Sequence, residues 1–334
     1  MSEAIVCTVL GGGAYGTALA SVLGRKGLAV KMWVREEPVV ESINSRHENE
    51  MFLTGVRLPD SVTATGDLAE ALADAQLVLI VIPTPFLRQF LVRNRTALPA
   101  NVAVVCCSKG IENETLQTPY EICYEELPGK YHHSLAVLSG PSFAKEVAMG
   151  QPTSVLVASQ DPLIGKHVQT LLSDTNFRVY TGNDMIGAEL CGAVKNVIAI
   201  ACGAASGLGL ESNTSALLIT RGLQEITQLV VKKGGQVKTC LGLAGVGDLV
   251  LTCSSKQSRN FTVGMRIAQG ASLEEVLQTN TVAEGVKTSE SIHLLARELG
   301  LDLPICEHVY QVLFEGKPIQ QAIQELQTRE LKDE

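Results

Sequence analysis

The chain has 334 residues, 46% hydrophobic and 19% charged, which excludes a disordered protein and supplies apolar mass for two cored domains. Lys and Arg number 27 against 35 Asp and Glu, a formal charge of −8, so nucleic-acid binding by bulk positive charge is excluded and only a local basic pocket for a small anion remains open. The nine cysteines lack a CxxC pair, and several sit in apolar runs (Cys7, Cys106, Cys107, Cys202). They read as small buried hydrophobes in a reducing, cytoplasmic setting, not as disulfides or a metal site. The six histidines show no metal-ligand spacing, so no metal is expected. The opening MSEAIVCTVLGGG carries Glu3 and no basic residue before a short apolar run, so no secretory leader is expected, and no uncharged apolar run reaches membrane-spanning length, so no membrane span is expected.

The first predicted strand, AIVCTVL (4–10), runs into Gly11-Gly12-Gly13-Ala14-Tyr15-Gly16 and a predicted helix over 15–26. This fits G-x-G-x-x-G between a strand and a helix, with a second strand, AVKMWV (29–34), at the right distance. Gly11 is expected to permit the tight turn, Gly13 to let backbone approach a pyrophosphate, and Gly16 to let the helix pack close to the strand. The helix N-terminus then faces the phosphates. After the second strand the sequence reads Trp33-Val34-Arg35-Glu36-Glu37. An acid there suits the ribose 2′-OH of NAD and an arginine the 2′-phosphate of NADP, and with Arg35 leading, NADP with tolerance of NAD is expected. A solvated charge cluster is the competing account.

A short helix is predicted near 67–74, with Asp67 as its N-cap and Glu70 three residues on. Strands follow at LVLIVI (77–82), VAVVCC (102–107), LAVLSG (135–140), TSVLVAS (153–159) and FRVYTGND (177–184), with a helix near 142–149. These runs are rich in Val, Ile and Leu and scarcely alternate, as in strands covered on both faces of a parallel sheet. Strand and helix alternating predict right-handed β-α-β units and an open, doubly wound sheet. Lys109 lies just past the end of the fourth strand, where such sheets bind ligands. Gly140 and Ser142 lie at a strand-to-helix turn, where Ser142 could equally be a simple N-cap.

Beyond 182–190 the texture changes to consecutive helical patterns: 184–206, 213–233, 259–269, 273–279, 287–299, 304–314 and 317–329. The expected division is a dinucleotide-binding domain over 1–187 and an all-helical substrate domain over 188–334. In the first of these helices Ala188, Cys191, Gly192, Ala199 and Cys202 form a stripe of small residues that includes Lys195, the only charge between Glu189 and Glu211. A buried ammonium needs a partner or a task, and lysine suits proton transfer to and from a substrate oxygen. Asn196 is its neighbour. In GLAGVGDLVLTCSSKQSRN, Asp248 could orient a lysine, Thr252 follows one turn on, and the Arg259-Asn260 pair could grip a phosphate, with helix capping and an ordinary ion pair as alternatives.

Taken together, GGGAYGTALA, LVLIVIP, CSKGIE, SGPSFAKEV, GAVKNVIAIACG, ITRGL, GLAGVGDLVLTC, QSRN and VAEG resemble the bacterial NAD(P)-dependent glycerol-3-phosphate dehydrogenases, in order, over residues 4 to about 315. The resemblance implies a Rossmann-like domain, a helical C-terminal domain, a homodimer and reversible reduction of dihydroxyacetone phosphate to sn-glycerol 3-phosphate, which supplies the phospholipid backbone. Carried over by motif, Lys195 is the general acid/base, held and tuned by Asp248 with Thr252. Lys109 and Asn196 lie near the substrate oxygens. Gly140, Ser142, Ser258, Arg259 and Asn260 line the substrate site, with Arg259 as the phosphate anchor. Ala14, Tyr15, Arg35, Lys109, Ala144, Arg259, Val282 and Glu284 touch the dinucleotide. Two other readings remain: a hydroxy-acid dehydrogenase with a similar helical domain, which would need a carboxylate site, and a non-enzymatic NAD(P) sensor, which would bind cofactor without turnover.

Overall fold

The computed structural model describes residues 5–210, 212–278 and 283–330. Its contacts group the chain into two units, one of Met1–Lys109 with Pro119–Ala188, the other of Gly110–Thr118 with Glu189–Glu334.

The first unit runs β1 (Val6–Leu10), α1 (Ala14–Arg25), β2 (Ala29–Trp33), α2 (Glu37–Arg46), β3 (Glu48–Asn49), β4 (Leu53–Arg57), β5 (Val62–Thr65), α3 (Leu68–Leu72), β6 (Ala75–Ile80), α4 (Thr84–Asn94), β7 (Ala103–Cys106), α5 (Pro119–Glu126), β8 (Leu135–Ser139), α6 (Ala144–Ala148), β9 (Thr153–Ala158), α7 (Pro162–Leu172) and β10 (Phe177–Gly182). Eight strands make one sheet in the order β10-β9-β8-β7-β6-β1-β2-β5, and β3 and β4 form a separate antiparallel pair. The central strands are apolar on both faces, as β7 and β8 show with every position buried. That pattern forces helices onto both sides. After β5 at one edge the chain returns to the far side of β1, so β1 and β6 flank a switch point, where the strand ends open a crevice.

The sheet is mostly parallel, as expected, with one reversal. β9 runs antiparallel to β8, with Val137 opposite Ala158, and β10 then runs parallel to β9. The connection between β8 and β9 carries only the five-residue α6, too short a crossover to bring the chain back in the same direction. The helix predicted over 142–149 is likewise shorter, and Ser142 is not its cap: Phe143 takes that position without a side-chain bond. Asp67 does cap α3, accepting from the N–H groups of Ala69 and Glu70. Helices α2, α4, α5 and α7 and the short strands β3, β4 and β5 were not anticipated. β4 (LTGVR) and β5 (VTAT) are short, half-exposed and partly polar, and carry little apolar signal.

The second unit holds α8 (Met185–Gly207) from Glu189 onward, α9 (Ser212–Lys232), α10 (Val237–Cys240), a π-helical turn at Leu243–Gly247, α11 (Asp248–Cys253), α12 (Arg259–Ala268), α13 (Leu273–Leu277), α14 (Glu284–Leu299), α15 (Pro304–Phe314) and α16 (Ile319–Gln327), with no strand among its described residues. α8 is long and apolar enough to cross a membrane by length and composition, but it carries Glu189 and Lys195, and 89% of its most apolar window is buried within the protein, as in a core helix. Glycines bring α8 and α12 into backbone contact: a Cβ on Gly203 would lie 1.9 Å from the Phe261 carbonyl oxygen, and one on Gly264 1.9 Å from that of Ile200. Buried Glu225 on α9 accepts from the N–H groups of Ile305 (2.7 Å) and Cys306 (3.1 Å), satisfying the first turn of α15. The segment Gly110–Thr118 is held on α14 by Ser291, whose hydroxyl bonds Ile111 O at 3.0 Å. All nine cysteines are buried. Burial pushes the Cys7 thiol up to about 12 and that of Cys107 higher still, so both stay protonated.

Candidate active site

The loop after β1 is shaped by its glycines. Gly11 has φ 126°, and a Cβ there would lie 2.7 Å from Val81 O, at the end of the neighbouring β6. On Gly16 a Cβ would stand 2.2 Å from Gly11 O, so only glycine lets α1 pack this close. Gly13, by contrast, has no atom within 4 Å of its would-be Cβ. It is the N-cap of α1, which has neither a side-chain cap nor an acid in its first turn. An open glycine at an uncapped helix N-terminus, beside a topological switch point, fits the pyrophosphate of a dinucleotide.

Tyr15 and Ser142 are joined at 3.1 Å, and Ser142 Oγ donates to Gly140 O at 3.0 Å. The Tyr15 hydroxyl is therefore the donor to Ser142. Gly140, at φ 142°, brings the exit of β8 within 3.0 Å of Val155 Cα, a clearance measured from its would-be Cβ. Ala144 opens α6. Half-buried Lys109 follows β7, its carbonyl accepting from Thr84 Oγ1 at 2.7 Å. Arg35 lies two residues past the end of β2 with its side chain 76% exposed, paired with Glu36 at 2.8 Å. Arginine and acid are thus both present where the two cofactors would be told apart.

In the second unit, Lys195 is 6% exposed and Asp248 1%. Lys195 Nζ lies 2.6 Å from Asp248 Oδ1 and donates to Thr252 Oγ1 at 2.8 Å, and Thr252 Oγ1 donates to Asp248 O at 2.6 Å. One turn of α11 thus supplies both partners of a lysine on α8. The adjoining Cys253 thiol is held well above its ordinary range, first by its hydrogen bond to Cys202 and then by burial, so it adds no negative charge beside the pair.

Asn196 is buried beside Lys195, its Nδ2 3.4 Å from Gly192 O. Ser258 is the N-cap of α12, accepting from Phe261 N at 3.3 Å, so capping is its structural role. Arg259 follows in the first turn, exposed and without an ion pair among the described residues. Asn260 is buried, and its Oδ1 accepts from Gly285 N at 2.9 Å. Glu284 is the first residue of α14. Val282 lies outside the described residues.

Two supports were missed in the sequence. Asn49, fully buried on β3, donates to Gly12 O and to Thr17 Oγ1, each at 2.8 Å, and so clamps the glycine loop from outside it. Nothing near Asn49 in sequence betrays this, since the two atoms its amide donates to lie 32 or more positions away. Gly285 was quoted only as part of VAEG. Among the described residues no group of three or more His, Cys, Asp or Glu is placed to hold a metal ion.

A dinucleotide cradle and a buried lysine paired to a carboxylate define a dehydrogenase that draws on NAD or NADP. Residues 6–164 match the model of the NAD-dependent glycerol-3-phosphate dehydrogenase N-terminus and residues 184–324 that of its C-terminus. Relatives called glycerol-3-phosphate dehydrogenase [NAD(P)+] include one from Geobacter sulfurreducens, 48% identical over 100% of this chain and 99% of its own, and one from Geobacter sp. strain M21, 47% identical with the same coverage. A crystal structure of glycerol-3-phosphate dehydrogenase from Coxiella burnetii superposes with a TM-score of 0.91 at 38% identity, covering 97% of this chain and 99% of that one. The chain belongs to the NAD-dependent glycerol-3-phosphate dehydrogenase family, and it is an oxidoreductase with NAD or NADP as cofactor.

Proposed function

We propose that this chain reversibly reduces dihydroxyacetone phosphate to sn-glycerol 3-phosphate, with Lys195 as general acid in that direction and general base in the other. The observation that carries the proposal is the Lys195–Asp248–Thr252 group, buried and built on two apolar helices. A reduced nicotinamide dinucleotide, held by the glycine loop after β1 when bound, would be the source of the hydride for the carbonyl carbon. Lys195 hydrogen-bonds the carbonyl oxygen and gives it a proton as negative charge develops there. Asp248 keeps the ammonium charged and aimed, and Thr252 fixes its rotamer. Arg259, lacking an ion pair among the described residues, anchors the phosphate together with Asn260, so binding energy from the non-reacting end orients the carbonyl. Ser258 caps the helix that presents them. Lys109, Asn196, Gly140 and Ser142 complete the substrate contacts in this reading. Gly11, Gly13, Ala14, Tyr15, Gly16, Ala144 and Glu284 serve the dinucleotide, and Arg35 favours NADPH while Glu36 keeps NADH acceptable. A homodimer working in the cytoplasm, feeding phospholipid synthesis, completes the proposal.

The test is nicotinamide oxidation with dihydroxyacetone phosphate, by wild type and Lys195→Ala, with each cofactor. Wild-type turnover and a fall in kcat of roughly 10²–10⁴ in the variant, with cofactor affinity kept, are expected. Near-normal kcat in Lys195→Ala would overturn the assignment. Cofactor binding without turnover in wild type would favour the sensor reading, and turnover of a carboxylate-bearing hydroxy acid alone would favour the other.

A further inference from the structure

We infer that Gly285, in the first turn of α14, is a positioning residue for substrate recognition, acting through Asn260 and Asn196. The inference rests on the reading of Asn260 as a phosphate contact. A carboxamide has two ends of similar size, one an acceptor and one a double donor, and only the donor end suits an anion. Asn260 is buried, and its Oδ1 accepts the Gly285 N–H at 2.9 Å. That bond commits the acceptor end to α14 and turns the Nδ2 end away from it. The same glycine packs its backbone against Asn196. A Cβ on Gly285 would meet Asn196 O at 2.6 Å and Asn260 Oδ1 at 2.8 Å. Both are closer than a real Cβ approaches, and the carbonyl, part of the rigid core helix α8, cannot swing aside. Neither constraint comes from backbone dihedrals, because Gly285 is not among the positive-φ glycines. The absence of a side chain here is therefore a matter of clearance. It allows α14 to lie against α8 and α12 at the point where Asn196 and Asn260 are presented, with Glu284 one residue before it. The first turn of α14 thus sets the orientation of one substrate contact and the backbone position of another.

The experiment is a double-mutant cycle on the whole enzyme, with Gly285→Ala, Asn260→Ala and the pair, measuring KM for dihydroxyacetone phosphate, kcat, inhibition by inorganic phosphate, and the thermal midpoint. Gly285→Ala is expected to raise KM for dihydroxyacetone phosphate and weaken phosphate inhibition on the order of tenfold, since a displacement of a fraction of an ångström is enough to misplace a bound substrate. Its effect should largely vanish in the Asn260→Ala background, because the group it orients is then gone. A purely structural role would lower the midpoint and leave the two substitutions additive in KM, and that outcome overturns the inference. Asn260→Asp separates the two ends of the side chain: it keeps the acceptor for Gly285 N–H, loses the donor, and should raise KM as much as Asn260→Ala. If Asn260→Ala leaves KM and phosphate inhibition at wild-type values, it is the reading of Asn260 as a phosphate contact that fails. If Asn260→Ala is impaired and Gly285→Ala is not, the inference about Gly285 fails alone.

Discussion

Removing Asp248 tests how the site and the stability of the helical unit depend on one another. With Lys195 and Asp248 6% and 1% exposed and 2.6 Å apart, their ion pair is of the buried kind. An exposed pair would be worth about 0–1 kcal/mol. Breaking a buried one by deleting a single partner costs about 3–5 kcal/mol, because a charge is left unpaired out of water. Asp248→Leu and Lys195→Met should each lose that amount. At an m-value of roughly 2–3 kcal/mol/M this moves a urea midpoint down by about 1–2 M. The double variant Lys195→Met/Asp248→Leu replaces the pair with apolar groups of similar size and should recover most of the loss, while remaining inactive. Urea melts followed by far-ultraviolet circular dichroism, which is dominated by helix in this unit, read the stability. Nicotinamide oxidation reads the activity. A single variant costing under about 1 kcal/mol, or a double variant as unstable as the sum of the singles, would refute the buried-pair account.

Arg259→Ala should weaken use of dihydroxyacetone phosphate by about 1.5–3 kcal/mol, roughly 10–100-fold in kcat/KM, with NADH affinity far less affected. An unchanged kcat/KM would remove the phosphate anchor from the proposal. Glu225, buried and capping α15, has its carboxyl raised to about 7, first by desolvation and against the backbone bonds that favour its charge. A carboxyl raised on folding binds its proton more tightly in the native state, so its contribution is fully present below about pH 4.5 and is lost as pH rises through 7. The span corresponds to about 3 kcal/mol, so the thermal midpoint of wild type should fall between about pH 5 and 8 more steeply than that of Glu225→Gln. Parallel pH profiles of the two would contradict it. Gly264→Ala places a methyl 1.9 Å from Ile200 O and should destabilise the α8–α12 crossing by about 1–3 kcal/mol or more, read as a lower melting midpoint. A wild-type midpoint would show that the helices separate at little cost.

The parts of the molecule most legible in the sequence are those where one segment carries its own signal. The glycine loop is one, because its G-x-G-x-x-G spacing sits within a single strand–helix turn, where Gly16 clears Gly11 O and Gly13 leaves the helix N-terminus open. The buried strands are another, because continuous Val, Ile and Leu have no other use in an open sheet. Lys195 stood out because an ammonium in a stripe of small residues requires an explanation. What could not be read depends on pairing across the chain. Asn49 clamps a loop 32 or more residues before it. Gly285 is a glycine for the sake of a carbonyl 89 positions earlier, at Asn196. The reversal at β9 follows from the brevity of α6, which Gly150 ends at φ 74°, but the direction of a strand is set by its pairing with β8 and not by its own residues.

The nine residues Gly110–Thr118 belong by their contacts with the helical unit, although they sit in the chain between β7 and α5 of the other. The two units are therefore not consecutive stretches that could be cut apart at one linker. A fragment beginning near residue 184 would lack the segment whose Ile111 carbonyl receives the Ser291 hydroxyl, leaving that buried donor on α14 without this acceptor. A fragment ending there would carry the same segment with nothing to lie on. Exchange of one unit between relatives would have to move two pieces of gene together, the short one and the long one. The interleaving makes the pair of units a single inheritable object.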